Sequence, residues 1–560
     1  MKTAATAAAT TASPSVVAGA TPTATKHDRY RLSKPVHYDL FEPDQYDLNG
    51  SYNWSAYLDK QEGEFTPIPV DKFRYAPLQS IFHHLRPGLK VEVPNKDYEH
   101  LKSSIGGVYW VAFVVKVAGY KALMRYEGFA QDGSHDFWMN LCCADVHPVG
   151  WCANEGKPLV PPKSLQEKEQ DWKSFLVKRL TGSRTLPADW HKRVQSAILA
   201  SKFKVGQRLE LIDRIQSTRI RPAIIKRIVG RRLKVLLSEE DMPADTDSAD
   251  GESQQLNGDW VDQGSPFIFP VGWAVRCNYG LYANDAYKQH CVRIVNTDPE
   301  GRGTGDAYAD NDTRPDQFQI TPSIERPTAA SSDNNEDDAA ARIEKSLTAP
   351  GLMDWQRGMK LECLDPLTDM LNSLTVATVI DILPCGYLKI GFDGPDMEDE
   401  SLPLHRNSSQ LFPIGYAETN KIELRPPKGS DERAKFDWQK YLKQTNSVGA
   451  PGELFDHDNY EDMNAFEVNG KLEAIDMVEP NLACVATIRE RKGRLLLVHF
   501  DGWESQYDQL FDFRSPDLMP LGWAEMVGHK LEAPKQAAPP TIKRPKAPAS
   551  VGSAKKQKKE

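Results

Sequence analysis

The sequence predicts a mostly β protein built from four tandem copies of one small domain, and two recurring motifs carry that prediction. The first motif, basic–apolar–Glu–apolar, opens a strand. It occurs as Lys90-Val91-Glu92-Val93, Arg208-Leu209-Glu210-Leu211, Lys360-Leu361-Glu362-Cys363 and Lys471-Leu472-Glu473-Ala474. The second motif closes each unit as Pro148-Val149-Gly150-Trp151, Pro270-Val271-Gly272-Trp273, Pro413-Ile414-Gly415-Tyr416 and Pro520-Leu521-Gly522-Trp523. Successive copies begin roughly 110 to 150 residues apart, too far for a solenoid repeat and suited to a small domain each. Between the motifs lie short strands such as Arg494–Phe500, followed by an Asp-Gly turn. Short strands closed by turns predict a small barrel.

A helical element precedes three of the copies. It reads Asn53-Trp54-Ser55-Ala56-Tyr57-Leu58, Asp171-Trp172-Lys173-Ser174-Phe175-Leu176 and Asp437-Trp438-Gln439-Lys440-Tyr441-Leu442. Asn or Asp makes a good helix N-cap, and the apolar residues after it fall at i, i+3 and i+4. Each is expected to be a short arm that buries its aromatic stripe on a neighbour. The third copy shows no such helix before Gly358. The region ahead of it, from about Asp298 to Ala349, is rich in Asp, Asn, Ser, Gly and Pro and reads as a disordered insertion.

The 560 residues divide by these signals into an Ala/Thr-rich disordered tail (1–43), repeat one (44–162) and repeat two (163–297). The acidic insertion and repeat three follow (298–427), then repeat four (428–534) and a basic disordered tail (535–560). A net charge of −9 argues against a dedicated DNA binder. Eight cysteines without a CxxC pair imply neither a disulfide framework nor a standard zinc finger, and suggest a reducing compartment. The first residues lack the apolar run of a signal peptide, and no stretch approaches the roughly 20 apolar residues that cross a bilayer. No membrane contact is expected. His135, Cys142, Cys143, His147 and Cys152 do not make a metal site: their counterparts in repeat four are Tyr507, Arg514, Ser515, Met519 and Ala524. Neither a metal nor a cofactor is expected, and no nucleophile elbow, phosphate loop or HExxH suggests an enzyme.

Repeat four carries the candidate chemistry. Phe500, Trp503 and Tyr507 stand close in sequence, with Asp476 upstream. Aromatic faces attract a cation, and an acid beneath them favours one that still carries an N–H proton. Mono- and dimethyl-lysine meet that description. Trimethyl-lysine has no proton to give, and unmodified lysine costs more to desolvate.

The arm pattern W-x-x-[FY]-L, the opening Gly358-Met359-Lys360-Leu361-Glu362, the Asp501-Gly502-Trp503 turn and Ser515-Pro516-Asp517-Leu518-Met519-Pro520 together resemble the malignant brain tumour (MBT) repeat family. Arg125-Tyr126-Glu127-Gly128-Phe129, His135-Asp136-Phe137-Trp138 and Phe175–Gly182 strengthen the likeness to its four-repeat members. The resemblance spans about Asp44 to Pro534. It implies a Tudor-like β-barrel core per repeat, with the arm packed on a neighbouring repeat, and a nuclear, repressive chromatin role. The cysteines of the zinc finger found in four-repeat relatives are not present.

Position by position, the resemblance assigns methyl-lysine binding to Asp476, Cys484, Phe500, Trp503 and Tyr507. Glu479 falls on the rim, where the family often has Asn. Repeat one places Asn95 at the acid position, with Tyr126, Phe129 and His135 at the aromatic positions. Repeat two keeps Asp213 but puts Ser238 at the first aromatic position and an acidic loop after it. Repeat three keeps Asp365 and Phe392, with Pro395 replacing the Trp. Glu92, Glu210, Glu362 and Glu473 read as structural.

The expected partners are methylated histone tails (H3/H4) and chromatin repressor complex subunits. The Lys543–Lys546 and Lys555–Lys559 clusters could serve nuclear import or weak nucleic-acid contact. The competing class is a nucleic-acid-binding or scaffold protein of a chromatin complex without methyl-lysine binding. It predicts basic and aromatic residues interleaved over a groove and steep salt dependence.

Overall fold

The computed structural model describes residues 51–60, 67–169, 171–243, 258–304, 306–318, 354–368, 371–430, 435–455 and 461–534. The predicted tails, 1–43 and 535–560, lie outside them, as do residues 319–353 of the acidic stretch. Each repeat is one curled antiparallel sheet. In repeat four the strands are β1 (Lys471–Ile475), β2 (Ala483–Lys492), β3 (Leu495–Phe500), β4 (Gln509–Asp512) and β5 (Leu518–Met519), ordered β4–β3–β2–β1–β5. A sixth strand, β6 (Leu531–Glu532), lies parallel on β2. Repeats two and three have the same six-stranded plan and repeat one the first five strands. Leu496, Val498, Ala486, Ile488 and Phe511 point into the core of repeat four. A register shift between Ile488 and Glu490, matched at Val114/Lys116, Ile225/Arg227 and Val379/Asp381, sharpens the curl of each sheet.

The opening glutamate explains why the two motifs recur together. Glu473 is fully buried and accepts from the backbone N–H of Gly522 at 2.7 Å and of Ala524 at 2.8 Å. Glu92 does the same for Gly150 and Cys152, Glu210 for Gly272 and Ala274, and Glu362 for Gly415 and Ala417. Burial pushes the Glu210, Glu362 and Glu473 carboxyls up to about 7 while these donors pull them back. The closing glycine must adopt φ between +84° and +98° to present its N–H.

The arms pack on these barrels from neighbouring repeats, and two of their tryptophans complete the clamps. Helix α1 (Ser55–Lys60) sits on repeat four, where Trp54 Nε1 donates to Glu473 Oε1 at 2.8 Å. Helix α2 (Trp172–Leu180) sits on repeat one, with Trp172 edge-on to Trp110 at 5.4 Å. Helix α4 (Trp438–Thr445) sits on repeat three, with Trp438 Nε1 donating to Glu362 at 2.9 Å. Asp171 and Asp437 cap their helices through Ser174 N (3.0 Å) and Lys440 N (3.1 Å). Each arm therefore packs on the barrel before it, and the first closes the circle onto the last.

Two sequence expectations are corrected. Repeat three does have an arm, α3 (Asp285–Thr297), capped by Asn284 and packed on repeat two through Tyr287, Cys291 and Ile294. Its Cys291 thiol takes the tryptophan's role, 3.6 Å from Glu210. The insertion does not begin at Asp298 either. Asp298 accepts from Arg302 N and Gly303 N, both at 2.9 Å, and Asp312 pairs with Arg208 and His290. Asp298 and Asp312, two of the acids that suggested disorder, are paired within the fold. Residues 298–304 and 306–318 belong to the folded body.

Repeats one and four meet at Gly522. Tyr120 N donates to Leu521 O at 2.8 Å, Asn140 Nδ2 donates to Gly522 O at 2.9 Å, and Lys121 pairs with Glu525 at 2.7 Å. A Cβ on Gly522 would lie 3.1 Å from Asn140 Nδ2, whereas one on Gly150 meets nothing within 4 Å. Both substitutions carry the positive-φ strain of about 1–2 kcal/mol. Gly522→Ala is expected to lower the melting temperature more than Gly150→Ala. Equal shifts in thermal unfolding would remove the interface contribution.

Where repeats two, three and four converge, a cavity of about 250 Å³ is edged by the ion pairs Arg231–Asp262, Arg514–Asp512 and Arg232–Asp517. Burial raises the Asp517 carboxyl to about 6 against the pull of Arg232. Among the described residues, no helix is long and apolar enough to cross a membrane.

Candidate functional site

Two loops of the fourth barrel, linked through Gln509, carry the candidate residues. Asp476 ends β1 and turns the chain into β2: its Oδ1 accepts from Val478 N at 2.9 Å and Glu479 N at 3.3 Å. Asp is favoured in such a turn because its short side chain can cap the backbone two residues on. Gln509 Nε2, on β4, donates to the same Oδ1 at 2.8 Å. That bond ties the acid to the strand that follows Tyr507. Oδ2 takes no hydrogen bond from the described residues.

The second loop, 501–508, carries the aromatics. Trp503 and Tyr507 stand as adjoining perpendicular walls, with centroids 5.6 Å apart and planes at 78°. Trp503 is half-buried against the core while Tyr507 is 49% exposed. Phe500 is buried at the base of the loop, in the core with Ala486 and Val498. Lys471 and Thr487 hold Asp501 at one end of the loop. At the other end, Asp508 receives His499 at 2.7 Å and Arg489 at 2.6 Å. A cage needs such fixed walls, since a cation gains little from rings that must first be ordered.

Cys484 is buried beside the acid. Its thiol is pushed up to about 12 by burial and then by Asp476, which keeps it neutral. Glu479, the candidate rim residue, is exposed, and its N–H donates to Asp476 Oδ1. Three contributors had no sequence signal. Glu532 pairs in register with Cys484 on the neighbouring strand. Arg214 and Arg232 of repeat two donate to the carbonyls of Met477 and Pro480, bracing the loop behind Asp476.

The other three repeats show the same place filled differently. In repeat two, Asp213 caps Ile215 N with Oδ1, but Oδ2 is engaged by Arg219 and, at 2.7 Å, by Arg221. Strand pairing puts Arg221 where repeat four has Cys484, so a guanidinium already sits on the acid. The register also corrects the position of Ser238. Leu237, paired with Ala223, stands at the Phe500 position, and Ser238 falls where Asp501 does.

In repeat one, Asn95 accepts from Asp97 N at 3.1 Å and donates to Val160 O at 2.8 Å. The Tyr126 hydroxyl donates to Pro94 O at 2.6 Å. Phe129 and His135 stack face to face at 4.6 Å, so the box expected there is collapsed. In repeat three, burial pushes the Asp365 carboxyl above its ordinary value, with Arg425 and Lys428 pulling it down. Strand pairing places Glu400 at the Tyr507 position, where it pairs with Lys428.

The chain matches the family model described as mbt repeat over residues 99–166, 207–288, 359–431 and 470–538. It is similar to MBT domain-containing protein 1 of Xenopus laevis, with 37% identity over 486 residues, covering 86% of this chain and 68% of that protein. Polycomb protein Sfmbt of Drosophila melanogaster is 36% identical over 521 residues, covering 92% of this chain and 39% of that protein. Among solved structures, the four MBT repeats of Drosophila melanogaster Sfmbt in complex with the peptide RHR (me)K VLR match with a TM-score of 0.70 at 36% identity. That likeness covers 87% of this chain and 99% of the other.

Proposed function

The chain belongs to the MBT repeat family, and from that premise we propose that it is a non-enzymatic reader of mono- and dimethyl-lysine on histone tails. The ligand docks in repeat four, among Asp476, Cys484, Phe500, Trp503 and Tyr507, with Glu479 at the rim. The protein acts in the nucleus in Polycomb-like transcriptional repression, and repeats one to three serve as scaffold and as surfaces for subunits of a repressor complex.

One observation carries the assignment to repeat four. Asp476 keeps Oδ2 without a partner among the described residues, and its Oδ1 is tied through Gln509 to the strand that follows the loop of the perpendicular Trp503 and Tyr507 rings. Asp213 is engaged by two arginines, Asn95 is neutral, and Asp365 faces Arg425 and Lys428. A desolvated cation over such rings gains on the order of 2 kcal/mol, and an N–H···O⁻ contact is roughly twice as strong as a neutral one. The methyl-lysine peptide held by the related Sfmbt repeats supports the ligand class.

Titrating the unmodified, mono-, di- and trimethyl forms of one histone peptide against the whole chain tests the reading. Weak binding is expected, since one side chain buries little surface, with the mono- and dimethyl forms tightest. Equal or tighter binding of the trimethyl form would overturn the role given to Asp476.

A further inference from the structure

Repeats two, three and four close a ring in which the loop after each acid position rests on the next member. In repeat two, Ser217 Oγ donates to Ser401 O of repeat three at 2.8 Å. In repeat three, Leu371 O accepts from Leu510 N of repeat four at 2.7 Å. In repeat four the ring closes back onto repeat two, and the contacts are arginine side chains. Arg232 Nη2 donates to Pro480 O at 2.5 Å, and Arg214 Nη2 donates to Met477 O at 3.4 Å.

Arg232 is buried at the start of a repeat-two strand (Arg232–Leu237), and its guanidinium is shared among several acceptors. It pairs with Asp517 at 3.4 Å and donates to Trp260 O at 3.3 Å. The backbone carbonyl of Asp517 in turn accepts from Ile475 N at 2.9 Å. Arg232 therefore holds both ends of the segment 475–480, one through Asp517 and the other through Pro480. Arg214 holds the middle at Met477, whose own N–H donates to Gln509 Oε1 at 3.0 Å. Asp476 lies inside this span, with Gln509 on its Oδ1.

We infer that Arg232 and Arg214 are positioning residues for the methyl-lysine site: repeat two sets the Asp476 carboxylate of repeat four in place. The site is then built by two repeats, although its candidate ligand-binding residues all belong to one. A planar guanidinium offers five donors in fixed directions, so one side chain can hold two carbonyls and a carboxylate. A lysine at the same place would act only as a point charge. An acid loop held in advance spares the complex the cost of ordering it. The direct Coulomb effect of either arginine on a cationic ligand is repulsive, so any gain in binding comes through the loop.

The inference rests on repeat four being the methyl-lysine site, and the experiment separates the two. Affinity of the full chain for a monomethyl-lysine histone peptide is measured for the unaltered protein, Arg214→Ala, Arg232→Lys, Ser217→Ala and Asp476→Asn. Amide hydrogen exchange over residues 474–482 and melting temperatures are followed without ligand. Arg214→Ala and Arg232→Lys are each expected to bind about five-fold more weakly, with faster exchange at Val478 and Glu479. Ser217→Ala, at another junction of the ring, should change neither. The sign is decisive for Arg214→Ala: loss of a positive charge alone would tighten binding, and a purely structural role would lower the melting temperature without changing the affinity of the folded chain. An arginine variant that binds as tightly as the unaltered protein, or binds more weakly without faster exchange, overturns the role of that arginine while the pocket stands. If the unaltered protein does not bind, or Asp476→Asn binds normally, the pocket reading fails and this inference with it.

Discussion

Glu473→Ala is expected to destabilise the protein by more than about 4 kcal/mol. The substitution removes the acceptor for three donors at once: Gly522 N, Ala524 N and Trp54 Nε1. Each buried donor left without a partner costs roughly 1–3 kcal/mol, and the lost side chain leaves a void besides. Gln does not restore the clamp, because its amide NH₂ would face one of these N–H groups. The loss should also spread, since Trp54 belongs to the arm that closes the ring from repeat one. Trp54→Phe removes one of the three donors and should cost about 1–2 kcal/mol. The two changes should be strongly non-additive in a double-mutant cycle followed by chemical denaturation. Additive costs would mean that arm and clamp act independently, and a Glu473→Ala variant that melts like the parent would refute the clamp.

What was legible in the sequence follows from where the signals reside. The four barrels showed because the Glu clamp needs an acid at one end and a positive-φ glycine at the other, and both are written in local motifs. Three arms showed because each joins an Asn or Asp to a Trp. The third stayed hidden because Tyr287 and Cys291 do the work of that Trp from a helix far ahead of its barrel. Residues 298–318 read as disordered because the partners that satisfy Asp312, namely Arg208 and His290, are remote in sequence or on another element.

The same limit applies at the pocket. Asp476, Trp503 and Tyr507 are candidates through the resemblance to the family's motifs, but Gln509, Arg214 and Arg232 reach the acid loop only through tertiary packing. Arg221 on Asp213 could not be foreseen without strand register, and a one-residue slip is what exchanged Ser238 for Leu237.

Asp476→Asn is expected to weaken methyl-lysine binding by roughly 2 kcal/mol, about 30-fold, with little change in stability. The stability half of the claim comes from Oδ1. Asn keeps a carbonyl oxygen there for Val478 N, Glu479 N and Gln509 Nε2, and no counter-ion is left unpaired among the described residues. The binding half comes from Oδ2. In the variant that position holds an NH₂ group, which turns a donor toward the cation in place of the charged acceptor. Asp365→Asn should leave binding unchanged, because Pro395 and Glu400 have already replaced the walls of that pocket. Asp213→Asn should behave differently again. It strips the acceptor from Arg219 and the buried Arg221, so it should cost about 3 kcal/mol or more of stability without touching the ligand. Isothermal titration with a monomethyl-lysine peptide, paired with thermal unfolding, separates the three acids. Normal binding by Asp476→Asn, or loss of binding by Asp365→Asn in a folded protein, would move the site out of repeat four.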